Sequence, residues 1–171
     1  MIIFAIDPGT TQSGWVLLSG DKVLDSGVHD NADLLRWVQA GQRADILAIE
    51  MFASMGMAVG QSSFNTVRWI GRFQQAWSDP DDVMLIFRNQ VKLHLCGRTT
   101  AKDPNVRQAV LDLLGEPGTK KKPGATYGVK SHAWSALAVA ITAQAKLAKV
   151  DPLFMKPPAL ADVDEIDALF R

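Results

Sequence analysis

Residues 2–15 set the fold, and they read Ile2-Ile3-Phe4-Ala5-Ile6-Asp7-Pro8-Gly9-Thr10-Thr11-Gln12-Ser13-Gly14-Trp15. Five consecutive apolar residues are typical of a strand that is buried on both faces of a sheet. The Pro-Gly pair then ends the strand in a sharp turn, so Asp7 is placed at the end of a core strand. A buried carboxylate needs a cation or hydrogen-bond donors as partners, although an Asp beside a turn can also do no more than cap that turn.

The next segments predict two different neighbours for this first strand. Apolar residues on both sides of Ser19-Gly20-Asp21 predict a hairpin, so the first three strands form an antiparallel meander. A helix capped by Asp30 or Asn31 leads to a second buried strand that ends in Glu50, and this crossover favours a parallel strand beside the first. Asp7 and Glu50 then lie at the carboxyl ends of parallel strands, where open α/β sheets bind ligands.

The second half of the chain predicts mainly helices. The expected elements are a helix over 64–77, a strand over 83–87, a short element around Lys92, a helix from Asp103 to Gly115 and an Ala-rich helix from Ser131 to about Lys149. Asp103 and Ser131 are interpreted as the caps of their helices. We expect one α/β domain over residues 1–150, followed by an acidic and flexible tail over 151–171.

The distribution of charge indicates a nucleic-acid partner. The net charge of the chain is zero, but 151–171 carries a net −3, which leaves +3 on 1–150. Between residues 88 and 130 there are nine basic and three acidic residues. This segment predicts a phosphate-binding surface, although a merely solvated face fits the same pattern. The candidate DNA-binding residues are Lys92, Lys102, Arg107, Lys120, Lys121 and Lys122.

Bulk features narrow the class of protein further. The apolar runs are too short to cross a bilayer, and no leader peptide is evident, so we expect a cytoplasmic protein of a bacterial or phage-infected cell that does not bind membranes. A single cysteine, Cys96, excludes a disulfide within the chain.

Three polar residues stand out against the apolar scaffold, namely Asp7, Glu50 and His132. Oxygen ligands at an open site suit Mg²⁺ or Mn²⁺, and two such ions can support phosphodiester cleavage by water. His132, expected in the first turn of the last helix, fits as a metal ligand or as a base, because the positive end of a helix favours neutral imidazole. The alternative is that each residue is only a polar group at a strand or helix end.

Four motifs, in order along most of the chain, resemble those of the RuvC-type Holliday-junction resolvases. They are Ile6–Trp15, with its Asp-Pro-Gly and second Gly, Ala48-Ile49-Glu50, Ala101–Gln108 and His132–Ala140. The sequence of residues 92–140 is closest to the phage-encoded branch of that family.

The resemblance implies an RNase H-like fold, a five-stranded mixed sheet flanked by helices on both faces. It also implies a homodimer that cuts four-way DNA junctions with a divalent metal, Mg²⁺ or Mn²⁺. Asp7 and Glu50 match the metal-binding carboxylates of the family, and His132 matches the third position. Ser135 stands at the fourth position, which is normally Asp, and a hydroxyl is a much weaker ligand. Asp103 is a candidate substitute, but its expected role as a helix cap already explains it.

The same residues also fit functions other than a nuclease. A junction-binding protein without catalytic activity would explain Ser135. Asp7 to Thr11 also resembles the phosphate loop of actin-like and sugar-kinase-like proteins, but those proteins need two such domains, more than 171 residues can supply. The end of the tail, 166–170, is amphipathic and is either a docking segment for a protein partner or plain disordered chain.

Overall fold

The structure, a computed structural model, describes residues 1–41, 44–54, 56 and 58–149. The strands are β1 (Ile2–Asp7), β2 (Gln12–Ser19), β3 (Lys22–Asp30), β4 (Ile46–Met51) and β5 (Met84–Phe87). The helices are α1 (Asn31–Gln39), α2 (Gln61–Ala76), α3 (Arg88–Cys96), α4 (Asp103–Leu114) and α5 (Ala133–Lys149), and a 3₁₀ turn spans Pro80–Asp82. The predicted acidic tail lies outside the described residues. Within those residues, no helix has the length and apolarity needed to cross a membrane.

The five strands form one mixed sheet in the order β3-β2-β1-β4-β5. β1, β2 and β3 pair antiparallel as a meander, and Gly20 makes its hairpin turn with a positive φ of 61°. β4 pairs parallel with β1, and β5 pairs parallel with β4. The predicted fold class is therefore confirmed, including the parallel crossover from β1 to β4.

Helices cover both faces of the sheet. Along β1, Phe4 and Ile6 face the layer that contains α1 and α2, whereas Ile3 and Ala5 face the layer that contains α5. All four side chains are fully buried, as expected for a central strand that is covered on both sides. Because side chains alternate along a strand, the next residue, Asp7, belongs to the α5 side of the sheet.

Helices α2 and α3 differ from their expected bounds. The short element expected around Lys92 is the nine-residue helix α3. It begins at Arg88 with no loop after β5, so its start lacks the polar turn that marks most helix beginnings. Helix α2 begins at Gln61, three residues before the expected start, with Gly60 as its cap residue.

Asp30 occupies the predicted cap position of α1, but the predicted caps of α4 and α5 are wrong. Asp103 is the first residue of α4 rather than its cap, and the cap residue is Lys102, whose backbone N–H donates to Asn105 Oδ1 at 3.0 Å. The carboxylate of Asp103 binds a side chain instead of the helix end. Ser131 has a φ of 48° and lies two residues before α5. The carbonyl of His132 accepts the N–H of Ala136 at 3.2 Å, so His132 immediately precedes α5 rather than lying in its first turn.

Candidate functional site

The turn after β1 is held in place by a buried hydrogen-bond network. The N–H of Gly9 donates to Ser13 Oγ at 3.2 Å, and Ser13 Oγ donates to Asn31 Oδ1 at 2.6 Å. Asn31 Nδ2 donates back to the carbonyl of Gly9 at 3.0 Å. Ser13 and Asn31 are each 1% exposed, and buried groups that are fully paired fix a local conformation. This network ties the turn to α1 and so fixes the position of Asp7.

A glycine brings the last helix close to Asp7. Gly14 on β2 pairs with Asp7 on β1 and lies on the same face of the sheet. A Cβ at Gly14 would collide with the backbone carbonyl of His132. Because that space is free, His132 Nδ1 lies 3.3 Å from Asp7 Oδ2. The Asp7 side chain is 18% exposed and the His132 side chain 70% exposed, so the pair has one buried and one accessible member.

Glu50 lies beside Asp7 at the same edge of the sheet. Ile6 and Ile49 are paired across β1 and β4, and the two carboxylates follow directly after them. Burial, and next the charge of Asp7, raise the pKa of Glu50 to about 7. Burial also raises the pKa of Asp7, against the opposing effect of His132 and Arg88. Two adjacent carboxylates with little access to water need positive charge nearby.

Arg88 supplies part of that positive charge, and the motifs did not point to it. Its Nη1 donates to Glu50 Oε2 at 3.2 Å, and its Nη2 donates to Asp103 Oδ1 at 2.6 Å. The Arg88 side chain is 26% exposed. A signal is present in the sequence, since Arg88 directly follows β5 and β5 runs parallel to β4. The carboxyl ends of parallel strands meet at one edge of a sheet, so placing β5 beside β4 makes Arg88 and Glu50 neighbours.

The side chains at this site provide only part of a ligand set for a hard cation. Asp7 and Glu50 offer adjacent carboxylate oxygens on neighbouring strands, which is the ligand type that Mg²⁺ and Mn²⁺ prefer. Among the described residues, however, no three side chains of His, Cys, Asp or Glu form a ready-made metal site. His132 contacts Asp7, and Arg88 contacts Glu50. The two carboxylates therefore fit a divalent cation, while Arg88 takes one oxygen of the pair.

A cavity of about 570 Å³ opens beside these residues. Its lining includes Arg88, Asp103, Arg107, Lys130, His132, Trp134 and Ser135. The Arg107 guanidinium packs 4.6 Å from the centre of the Trp134 ring, a cation–π contact that holds Arg107 at the cavity wall. Ser135 faces the same cavity as His132 and Asp103.

The predicted DNA-binding residues do not all lie at this cavity. Arg107 lines it, and Lys92 is close enough to Asp103 for its charge to help Arg88 lower the pKa of that carboxyl group. Lys102 is exposed on the residue before α4. The residues Lys120, Lys121 and Lys122 are exposed in a tight loop that the Gly118–Pro123 bridge closes. The structure thus brings Arg107 to the cavity wall, and leaves Lys92, Lys102 and the lysine run outside the cavity lining.

Comparison with solved structures identifies the fold. The RuvC structure from Thermus thermophilus superimposes with a TM-score of 0.63 at 22% sequence identity, over 86% of this chain and 97% of that one. T. thermophilus RuvC in complex with a Holliday junction substrate gives a TM-score of 0.64 at 22% identity, over 86% of this chain and 96% of that one. The chain has a RuvC-like fold. No protein-family model and no curated protein gives a significant match to the sequence.

Proposed function

We propose that the protein is a divalent-metal-dependent endodeoxyribonuclease that cuts branched DNA, with the four-way Holliday junction as its substrate. The observation that carries this proposal is the pairing of two partly buried carboxylates, Asp7 and Glu50, at the carboxyl ends of β1 and β4, with His132 in contact with Asp7. The fold similarity supports it, because one of the RuvC neighbours was solved with a Holliday junction.

Each residue of the site has a distinct role in this proposal. Asp7 and Glu50 hold Mg²⁺ or Mn²⁺, which when bound supplies an activated water and charge stabilisation at the leaving oxygen. In this role the Nδ1–H of His132 donates a hydrogen bond to Asp7 Oδ2, and Nε2 of the exposed imidazole is the proton acceptor. His132 therefore takes the proton of the attacking water, and Asp7 orients its ring.

The basic residues position the DNA backbone. Arg107 lines the cavity, and its charge would bind a phosphate next to the scissile bond; Lys92, whose charge acts on Asp103, would bind a neighbouring phosphate. Lys102 and the run Lys120–Lys122 would bind phosphates on a more distant part of a junction arm. Each lost phosphate contact lowers the affinity and reduces the salt dependence of binding.

The oligomeric state, the branch of the family and the partner of the tail are also proposals. Symmetric cutting of a junction requires two active sites, so we propose a homodimer. The exposed apolar side chains Phe64 and Val67 on α2, 60% and 36% exposed, support an interface on that helix. The sequence of residues 92–140 favours placement in the phage-encoded branch of RuvC-type proteins. The end of the acidic tail, 166–170, stays a candidate docking segment for a protein partner, with plain disordered chain as the alternative.

A second candidate function is a junction-binding protein without nuclease activity. Two observations favour it. Ser135 replaces the carboxylate of the fourth family position, and Arg88 already pairs with Glu50. Such a protein would keep the basic surface and the fold while lacking a complete metal site.

A cleavage and binding assay separates the two functions. Synthetic four-way junctions, flaps and linear duplexes of matched sequence are incubated with the protein in Mg²⁺, in Mn²⁺ and in EDTA. We expect paired nicks in the junction with either metal, little cutting of the duplex, and none in EDTA. Tight junction binding with no nicks in either metal would support the binding protein and contradict the nuclease.

A further inference from the structure

Arg88 connects two carboxylates that come from different parts of the fold. It is the first residue of α3, and its guanidinium reaches Glu50 on β4 and Asp103 at the start of α4. The two bonds use different nitrogens, Nη1 at 3.2 Å and Nη2 at 2.6 Å. A planar guanidinium can bind two acceptors at once in this way, whereas a Lys ammonium is a point charge on a flexible stem.

The two partners of Arg88 have very different access to water. Glu50 is 15% exposed, so its negative charge depends on protein partners. Asp103 is 76% exposed, so water solvates it well whether or not Arg88 is present. Asp103 also does not cap α4, although its position suggested that it would. Its placement is therefore explained by the contact with Arg88 rather than by the helix end.

Arg88 and a divalent cation would compete for the carboxylate of Glu50. Glu50 Oε2 accepts the Arg88 bond, and a cation held between Glu50 and Asp7 would repel the guanidinium beside it. Asp103 offers Arg88 a second anchor on the solvent side. The guanidinium can give up one bond and keep the other, so the positive charge leaves the carboxylate pair without losing its place in the fold.

We propose that Arg88 is a positioning residue that acts as the internal counter-cation of the metal-free site and is held by Asp103 when a divalent cation displaces it from Glu50. This inference rests on the proposed nuclease function. In it, Asp103 acts through Arg88 and is not itself a metal ligand. Arg88 keeps Glu50 ordered before metal binds and sets the metal concentration that the site requires.

Binding of Mn²⁺ to EDTA-stripped full-length protein tests this proposal without a DNA substrate. Isothermal titration at pH 8.5 limits competition from protons. We expect Arg88→Met to bind Mn²⁺ about 10-fold more tightly than the wild type, because a competing charge is removed. We expect Asp103→Asn to bind Mn²⁺ about 5-fold more weakly, because Arg88 then relies on Glu50 alone. Lys130→Met, which removes a cation from the same cavity wall, should change the affinity by less than about 2-fold.

The double variant distinguishes a positioning role from direct ligation. If Asp103 acts through Arg88, Asp103→Asn should have less than about a 2-fold effect in the Arg88→Met background. An equal loss in both backgrounds would make Asp103 a metal ligand and overturn the proposal. Asp103→Asn changes an exposed side chain, so its single-variant result remains informative even if Arg88→Met fails to fold.

The failure of this proposal is distinct from the failure of the proposed function. Mn²⁺ binding that Asp7→Asn abolishes and Arg88→Met leaves unchanged would contradict the role of Arg88 and keep the metal site. A wild-type protein that binds no Mn²⁺ would contradict both.

Discussion

The carboxylates of Asp7 and Glu50 share one face of the sheet for a reason that the sequence contains. Side chains alternate between the two faces along both strands. Ile6 and Ile49 pack on the side of α1 and α2, so the residues that follow them, Asp7 and Glu50, both belong to the side of α5. The pairing with Arg88 needed a further step, the placement of β5 beside β4, because its partners lie 38 and 15 residues away in the sequence and none of the motifs contains Arg88. Ion pairs over such separations depend on the three-dimensional fold and leave no spacing pattern.

The raised pKa of Glu50 predicts a pH-dependent stability of the metal-free protein. The pKa is about 7 in the folded state against 4.5 for an ordinary Glu, so the folded protein keeps a proton that the unfolded chain has lost between these values. Stability therefore falls as the pH rises from about 4.5 to about 7. We expect Glu50→Gln, which has no proton to lose, to gain about 3 kcal/mol over the wild type across this range.

Urea unfolding in EDTA at several pH values measures this difference. Glu116→Gln is the matched control, since it removes an exposed carboxylate in the loop after α4. A stability difference between Glu50→Gln and the wild type that stays constant from pH 4.5 to pH 8 would contradict the burial of an ionised Glu50.

The elements of this fold are placed by apolar patterns, and their ends by tertiary contacts. The order β3-β2-β1-β4 followed from two buried strands, one hairpin and one crossover, all of which are visible in the sequence, whereas the place of β5 beside β4 was not predicted. The caps of α4 and α5 were wrong because Asp103 bonds to Arg88 and because α5 starts at Ala133, after the positive φ of Ser131. Local rules assign an Asp before a Pro to a cap, and they cannot register a stronger partner from another helix.

The approach of α5 to β2 depends on the missing side chain of Gly14. We expect Gly14→Ala to destabilise the protein by about 2–3 kcal/mol, because a Cβ there meets the backbone carbonyl of His132. The same shift should separate His132 from Asp7 and reduce junction cleavage by about 10-fold or more.

Gly71→Ala is the control for this substitution. Gly71 lies in α2, and a Cβ added there would meet no atom of another element within 4 Å among the described residues. Alanine at this position should therefore be neutral or stabilise the helix by about 0.5–1 kcal/mol. Thermal unfolding of both variants tests the expectation. Equal stability of the two variants would show that the packing of α5 against β2 does not require glycine at position 14.

At the scale of the whole molecule, a sheet covered by helices on both faces leaves the carboxyl ends of β1 and β4 as the open edge. This arrangement follows from the order of strands and helices, and the sequence carries that order clearly. The oligomeric state cannot be predicted from the sequence in the same way, because an interface depends on which apolar side chains stay exposed after folding. Phe64, 60% exposed, could be identified as exposed only from the packed structure.

The proposed homodimer predicts the behaviour of a variant on the outer face of α2. Phe64→Glu places a charge in the proposed apolar interface, so we expect it to shift the protein from dimer to monomer at micromolar concentration. Asn65→Glu adds the same charge at the neighbouring exposed position and should leave the dimer intact. Sedimentation velocity measures both, and a Phe64→Glu protein that sediments like the wild type would place the interface elsewhere or remove it.

Single-turnover cleavage of a synthetic four-way junction in Mg²⁺, by the wild type and by Asp7→Asn, tests the proposed centre most directly. We expect the variant to bind the junction within about 3-fold of the wild-type affinity and to cut it at least about 100-fold more slowly, because the variant lacks one of the two carboxylates that hold the metal. Asp112→Asn, which changes a carboxylate on α4 away from the cavity, should cut at the wild-type rate. An Asp7→Asn protein that cuts as fast as the wild type would contradict the assignment of Asp7 and Glu50 as the catalytic metal site.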